Sequence, residues 1–523
     1  MKSIPLPRCG RIFVRAVGLV AASAMNLGCS LIGPDFEHPQ VKLADTWLDE
    51  QKRQARSGDF RSWWRIFQDP VLDKLIESAY RQNLDVHIAA VRIQEARAQL
   101  GIAKGNLFPQ KQNVTMDALY EQLSERSPYY QGSSDYSFMY FQTGFDAAWE
   151  LDIWGRFRRG IESAGADLAA TTLDYDDMLV TLTAEVAAAY VQIRTFHQRL
   201  ALAHGNADLQ ERSLRIAESQ FRNGVSTELD MQQARALRQA TLAEIATLEI
   251  GLRQSKNALS VLLGMPPNHL HAQLGDATGI PAVSREISAG IPAEMLRRRP
   301  DIRRQEYRAA AQSALIGVAK SELLPRLSLV GSIGINSGSV DGVDIANAFS
   351  PSGLAGKFGP TMYWPILQYG RLTNNVRAQD AKFQQLLIGY HSAVLRALRE
   401  VEDALIGYRK ARERVASLED GVDASHRAAE LALLQYRDGL EDYTRVLNSE
   451  LFLVQQQDRL TASRGDVARN VIAMYKALGG GWEIREGKEI LPPDVKRDMQ
   501  RRTDWGNLLD EPSSDVFRRD EPK

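Results

Sequence analysis

One pattern constrains this chain more than any other: a set of landmark residues that returns at a fixed distance. Trp149, Trp154, Gly155 and Arg156 recur as Trp364, Tyr369, Gly370 and Arg371, 215 positions on. The same offset carries Tyr175 to Tyr390, Glu185-Val186 to Glu400-Val401, Arg194 to Arg409 and Leu263-Gly264 to Leu478-Gly479. It also carries Gln220-Phe221-Arg222-Asn223-Gly224 to Gln435-Tyr436-Arg437-Asp438-Gly439. Upstream the offset is 216, matching Gly101, Ala103-Lys104, Leu107 and Pro109 to Gly317, Ala319-Lys320, Leu323 and Pro325. Two copies of one unit therefore occupy 76–264 and 292–479, joined by a proline- and glycine-containing linker at 265–291. Two coiled-coil segments alike only in composition would not share tryptophan, glycine and proline landmarks in order.

Within each copy the period of the apolar residues changes twice. Residues 76–108 place apolar side chains three and four apart, as a helix does, and Pro109 ends that run. Residues 110–124 and 137–153 then alternate. Phe141, Thr143, Phe145, Ala147, Trp149 and Leu151 fall on one side, and Gln142, Gly144, Asp146, Ala148, Glu150 and Asp152 on the other. In copy two Leu327, Leu329, Gly331, Ile333 and Ile335 alternate with polar and small residues, and Leu354, Gly356, Phe358, Pro360, Met362 and Trp364 form the return. The hairpins span 110–153 and 326–368, with loops at Ser124–Ser137 and Asn336–Ser352. Strands of this length, apolar on one face and polar on the other, suit a membrane barrel around water or a half-buried soluble hairpin.

A long helix follows each hairpin. No proline interrupts the chain between Pro128 and Pro266 or between Pro365 and Pro492. Leu168, Thr172, Tyr175, Leu179, Leu182, Val186, Ala189, Ile193, Phe196 and Leu200 keep a seven-residue rhythm, the mark of a coiled-coil seam. A continuous helix from Gly155 to Phe221 would span roughly 100 Å at ~1.5 Å per residue. It turns at 222–227, and its counterpart at 437–442, where Gly224 and Gly439 can take the left-handed conformation that stops a helix. Ser226 or Thr227 can cap the helix that returns.

The first 28 residues carry Lys2, Arg8, Arg11 and Arg15, no acid, and a short apolar core at Val17–Met25, which together read as a secretory signal. Ala22-Ser23-Ala24 offers ordinary cleavage. Asn26-Leu27-Gly28-Cys29 offers a lipobox, with Asn26 where leucine is usual, and makes Cys29 the candidate lipid attachment; 29–75 would then be a lipid-anchored N-terminal segment. The net charge of −1 shows no basic face for nucleic acid. Charged residues make up 25% of the chain, and no later stretch has 18 uncharged apolar residues, so a spanning helix is not expected. No catalytic constellation, cofactor motif or metal-ligand set stands out; His269 and His271 share a loop, and Gly479-Gly480-Gly481 has no phosphate-loop lysine after it. Residues 480–523 are charged and aperiodic, and read as an extended or partly disordered tail.

The tandem plan, with Arg222-Asn223-Gly224-Val225-Ser226, Arg298-Arg299-Pro300-Asp301-Ile302-Arg303, Tyr475 through Gly479-Gly480-Gly481-Trp482, and Trp63-Trp64 ahead of Phe67, Asp69-Pro70 and Leu72, resembles the TolC-like outer membrane factors, especially their lipoprotein efflux subset. The resemblance implies a mixed α and β fold of two tandem repeats. It has a long α-helical coiled-coil barrel and a trimeric, twelve-stranded transmembrane β-barrel with four strands per subunit. It implies an enzymatically inactive homotrimer in the outer membrane of a Gram-negative bacterium, extending into the periplasm. Its partners would be outer-membrane lipid, a periplasmic adaptor (membrane fusion) protein and an inner-membrane RND-type pump, and it would pass drugs or other small toxic compounds outward. A polypeptide secretion channel and a lipid-anchored periplasmic scaffold remain alternatives; an adaptor would need further β-domains. The tip turns, Gly224, Val225 and Ser226 with Gly439 and Leu440, would face the adaptor. The family's acidic gate position falls on Asn448 and its apolar one on Thr444, so charge there would have to come from Asp230, Asp442, Glu441, Arg445 or Glu450.

Overall fold

A computed structural model describes residues 31–40, 60–122, 124, 137–267, 270–275, 279–283, 298–339 and 353–510. The chain divides into two compact units. One holds 1–39, 95–169 and 306–388; the other holds 40–94, 170–305 and 389–523.

The first helix, α1, runs Pro70–Gln82, with Pro70 at its first position and the Asp69 carboxylate accepting from Val71 N at 2.9 Å and Leu72 N at 3.3 Å. It breaks at Asn83, whose backbone is extended, and α2 follows at Leu84–Gly105. The single helix expected over 76–108 is thus two helices, and the first begins six residues earlier, because Asp69-Pro70 is a start signal and Asn83 caps a fresh start through Val86 N. Strands β1 (Lys111–Gln122) and β2 (Ser137–Glu150) come next. Helix α3 then fills Arg156–Arg222, and α4 returns over Glu228–Leu262. After the four-residue α5 (His271–Leu274), copy two repeats the order: α6 (Pro300–Ser321), β3 (Arg326–Ser339), β4 (Leu354–Tyr363), α7 (Arg371–Arg437) and α8 (Tyr443–Ala477). The long helices α3 and α7 have 67 residues each and the return helices 35 each.

In the unit containing the sheet, the two hairpins join edge to edge as one antiparallel sheet in the order β1-β2-β3-β4. Trp149 Nε1 donates to Leu107 O, and Trp364 Nε1 donates to Leu323 O, each at 3.1 Å. This is the same bond at the same place in both copies. The segment 31–38 lies along this unit. Ile32 N donates to Trp154 O at 3.3 Å, and Arg159 donates to Asp35 at 2.7 Å. A Cβ on Gly317 would stand 2.5 Å from Ile32 O, so the close approach requires glycine there.

In the other unit the seam of α3 is buried at Thr172, Tyr175, Leu179, Leu182, Val186 and Ile193. The turn Trp63–Phe67 is also buried, and Trp63 stacks on Tyr475 with ring centroids 5.4 Å apart. The stretch after 480 departs from the sequence reading. Trp482–Arg485 forms a 3-10 turn, Pro493–Arg502 forms α9, and Leu491, Met499 and Leu509 are buried. Arg485 binds the buried carboxylate of Asp176, and Lys496 binds Asp510 at 2.7 Å. The charges find partners within the fold, and a ten-residue helix is too short to show a period. Residues 511–523 lie outside the described residues, as do the leader, Cys29 and His269.

Candidate functional site

Two features carry chemistry that a bundle alone would not need: the sheet and the pair of helix turns.

The strand register sorts the described side chains of the sheet onto two faces. Val114 faces Phe145, Phe145 faces Ile333, and Ile333 faces Gly356; Met116, Thr143 and Ile335 with Leu354 form the next row. Directly paired residues share a face, so one surface carries Val114, Met116, Phe145, Trp149, Leu329, Ile333, Phe358 and Met362. The other carries Asn113, Thr115, Asp117, Gln142, Asp146, Glu150, Ser328, Ser332 and Lys357. The apolar row stands exposed: Val114 at 79%, Met116 at 69% and Phe358 at 84%. The sheet's outer strands β1 and β4 each have a single neighbour, which leaves two ladder edges unpaired among the described residues. Gly144 and Gly334 are paired across β2 and β3 and leave no room for a side chain, since a Cβ on Gly144 would meet Ile333 O at 2.9 Å and one on Gly334 would meet Thr143 O at 2.6 Å.

The two turns are built alike. At the end of α3, Gly224 N donates to Phe221 O at 3.0 Å and Val225 N to Gln220 O at 2.9 Å. At the end of α7, Gly439 N donates to Tyr436 O at 3.0 Å and Leu440 N to Gln435 O at 2.9 Å. The glycines adopt φ of +72° and +74°, completing the double bond that closes a helix. The helix starts that follow differ from expectation. Thr227 and Asp442 occupy the cap positions without a side-chain cap bond. Ser226 instead donates to Asp230 at 2.8 Å, and its Oγ lies 3.2 Å from the Tyr436 hydroxyl.

Behind the turns a small core of Ala217, Ala234, Ala432, Tyr436, Tyr443 and Val446 joins all four helices. Tyr436 and Tyr443 meet edge to face at 5.2 Å. Burial pushes both hydroxyls above their usual range. Val225, Leu229 and Leu440 stay exposed beyond this core.

Thr444 and Asn448 lie one turn apart on α8 and are both exposed. Phe452, one further turn along the same face, is exposed as well. The sequence reading passed it over, although its spacing of four from Asn448 would have found it. Asp442 is exposed at the head of the helix, and Glu441 pairs with Arg445 at 3.3 Å. Asp230 is tied to Ser226. Glu450 is not a surface charge at all. It is buried, and Ser213 donates to it at 2.6 Å. The spacing of Tyr443, Val446, Glu450, Leu453 and Leu460 puts it in the seam rather than on the face of Asn448.

Among the described residues no helix is long and apolar enough to cross a membrane, and no group of three metal-ligating side chains comes together.

The profile of a family described as outer membrane efflux protein matches residues 75–265 and again 291–480. The chain is 31% identical over 481 residues to the pyoverdine export outer membrane protein OpmQ of Pseudomonas putida, covering 90% of this chain and 98% of that one. It is 28% identical over 459 residues to the cation efflux system protein CusC of Escherichia coli O6:H1, covering 87% of this chain and 96% of that one. The solved structure of the outer-membrane channel OprN matches with a TM-score of 0.79 at 32% identity, covering 86% of this chain and 99% of that one.

Proposed function

Because the chain belongs to the outer membrane efflux protein family, we propose that it is the exit duct of a tripartite efflux pump. Three copies would close one barrel, and small compounds would pass outward through it without chemical change. The protein is an outer-membrane channel of a Gram-negative bacterium that extends into the periplasm. The observation that carries the proposal is the sheet. Four strands cannot enclose a pore, yet they present one apolar face, one polar face and two open edges. Joining β4 of one subunit to β1 of the next satisfies both edges, turns the apolar face to lipid and lines the lumen with Asp117, Gln142, Asp146 and Ser332. A periplasmic scaffold has no use for such a face.

The remaining assignments follow from this reading. An acyl chain on Cys29 would enter the lipid beside the sheet, because Leu31, two residues later, packs against Gly155 at the sheet–helix junction. The adaptor would dock at the tip turns, where Val225 and Leu440 offer an exposed apolar side chain at the same repeat position in both copies. The constriction would form from Thr444 and Asn448, with Phe452 below them, three copies around the axis. The inner-membrane partner would be an RND-type pump. The relatives' names span pyoverdine export and cation efflux, so the pump and adaptor, rather than this scaffold, would select the cargo.

The test is conductance. The purified full-length protein should run as a trimer and form ion-conducting pores in planar bilayers. Phe145→Arg or Leu329→Arg should block assembly, at a cost of roughly 2–4 kcal/mol near the midplane. Asp146→Arg and Ser328→Arg should assemble and conduct. Equal tolerance at both pairs would remove the barrel, and with it the duct.

A further inference from the structure

The tip buries one acid that conduction does not require. Glu450, on α8, is 2% exposed. Its Oε1 accepts from Ser213 Oγ on α3 at 2.6 Å, and its Oε2 has no hydrogen-bond partner among the described residues. Gln210, one turn before Ser213 on the same face of α3, is buried to the same degree, and both of its amide atoms lack partners. Burial pushes the Glu450 carboxyl above the usual carboxylate range, and the Ser213 bond opposes that only in part.

Among the described residues no cation answers this carboxyl. The one ionisable group that acts with it electrostatically is Tyr443, two turns before it on its own helix; Tyr436 at the end of α7 and Asp230 at the start of α4 act on that tyrosine in turn. On α3 the near neighbours on its face are the neutral Ser213 and Gln210, while Arg212 and Arg215 are exposed. The arginines of the adjoining turns are already engaged: Arg235 with Glu218 at 3.7 Å, Arg238 with Glu211 at 2.6 Å and Arg445 with Glu441 at 3.3 Å. The repeat does not demand an acid here. The copy-one counterpart of Glu450 is Arg235, and the copy-two counterpart of Ser213 is Ala428, so the pair exists once per chain.

An ionised carboxylate in this position is costly. A neutral one is a donor, and the Gln210 carbonyl is an acceptor in need of a partner. We propose that Glu450 is a proton-operated latch between α3 and α8. Its neutral carboxyl joins the two helices at Ser213 and Gln210, and its ionised form releases them. The sign follows from the direction of the shift. The packed tip favours the protonated form, so the contact is complete below the ordinary carboxylate value of 4.5 and weakens as pH rises through the elevated one. That release would widen the tip rests on the channel reading, and two measurements separate the ideas.

The full-length trimer in planar bilayers should show an open probability that rises with pH, by up to about tenfold per unit across the titration. Glu450→Gln keeps the acceptor for Ser213 and supplies a donor for Gln210, so it should stay low and flat across pH. Ser213→Ala removes the donor that favours the charged form and should move the midpoint upward, and it remains informative if the glutamine variant fails to assemble. Asp230→Asn should keep the native profile. An unchanged profile in Glu450→Gln, an unmoved midpoint in Ser213→Ala, or loss of the response in Asp230→Asn would overturn the latch. Absence of conductance at every pH would instead strike the channel reading. Hydrogen exchange at residues 443–453, corrected for intrinsic rates, would still decide the latch: protection should fall with rising pH in the native protein and not in Glu450→Gln, and identical profiles would refute it.

Discussion

In copy one, the last carbonyl of the return helix, Leu262 O, is held by the Asn83 side-chain amide at 2.9 Å. In copy two the matching carbonyl, Ala477 O, is held by the Arg299 guanidinium at 2.5 Å. Positions 83 and 299 correspond in the repeat, as do Gly264 and Gly479, which both turn left-handed at φ +65° and +71°. Arg299 also binds Asp301 at 2.9 Å and Glu400 at 2.8 Å. The counterpart of Glu400 is Glu185, which is exposed. The backbone task is therefore the same in both copies: hold one carbonyl and reverse the chain. A neutral amide performs it in one copy and a three-membered ion cluster in the other. The repeat fixes where the chain must be secured and leaves the chemistry free.

Removing each anchor in turn should separate the two chemistries most strongly. Arg299→Ala strands two carboxylates and frees Ala477 O. Because Glu400 is partly exposed, the loss should be about 2–3 kcal/mol rather than the full value for a buried pair. Asn83→Ala loses a helix cap and one carbonyl bond, about 1–2 kcal/mol. Urea midpoints of the purified proteins measure the difference. Equal losses would mean that the cluster adds nothing beyond the carbonyl bond.

The two helix-ending glycines differ in their surroundings as well. Alanine at either site meets the left-handed penalty of about 1–2 kcal/mol. At Gly264 the new Cβ would also stand 2.2 Å from the Gln82 backbone oxygen, whereas at Gly479 its nearest neighbour is the flexible Arg299 Cγ at 3.0 Å. Gly264→Ala should therefore lower the midpoint further than Gly479→Ala. The reverse order would show that the Arg299 side chain cannot yield.

These differences mark what a sequence can convey. The two-residue alternation of Phe141 through Leu151 assigned faces that the register with β3 bears out, because alternation is a local property. The turn glycines were legible for the same reason, since a helix that stops in a left-handed residue needs glycine there. The pairing of β2 with β3 is not local, and nothing in either hairpin announces it. Arg485 reaches Asp176 across 309 positions, so the order of the C-terminal stretch was equally hidden. Glu450 is legible in part: the three-and-four spacing from Tyr443 puts an acid into the seam, although charge by itself points to the surface.

The tips allow a subtler comparison, because their backbones match and a Cβ at either glycine meets open space. Gly224→Val and Gly439→Val should each cost about 1–2 kcal/mol locally, with the trimer retained and efflux reduced in cells that depend on the pump. A loss of efflux from only one of them would assign the proposed adaptor contact to that copy. Loss of the trimer itself would mean that the turns serve folding, and docking would have to be sought elsewhere.

The mildest change is expected at the proposed constriction, where the copies differ in the side chains at two positions. Asn448 is exposed on α8, while its counterpart Gln233 on α4 is half-buried with its carbonyl oxygen enclosed. Thr444 corresponds to Leu229. A neutral amide has no charge to titrate and holds divalent cations weakly, so a native ring of Asn448 should conduct without divalent block. Asn448→Asp places three carboxylates around one axis if the copy-two face lines the constriction, and micromolar-to-millimolar divalent ions should then reduce single-channel current. Gln233→Glu should leave the current insensitive to divalent ions, because its side chain does not share that exposed face. Asn448 is on the surface, so the aspartate should change stability by no more than about 0.5 kcal/mol, and conductance is the sensitive readout. Block appearing in Gln233→Glu and not in Asn448→Asp would move the constriction to copy one. Block in neither would place it away from this turn of the helix, with Phe452 the next position on the same face to substitute.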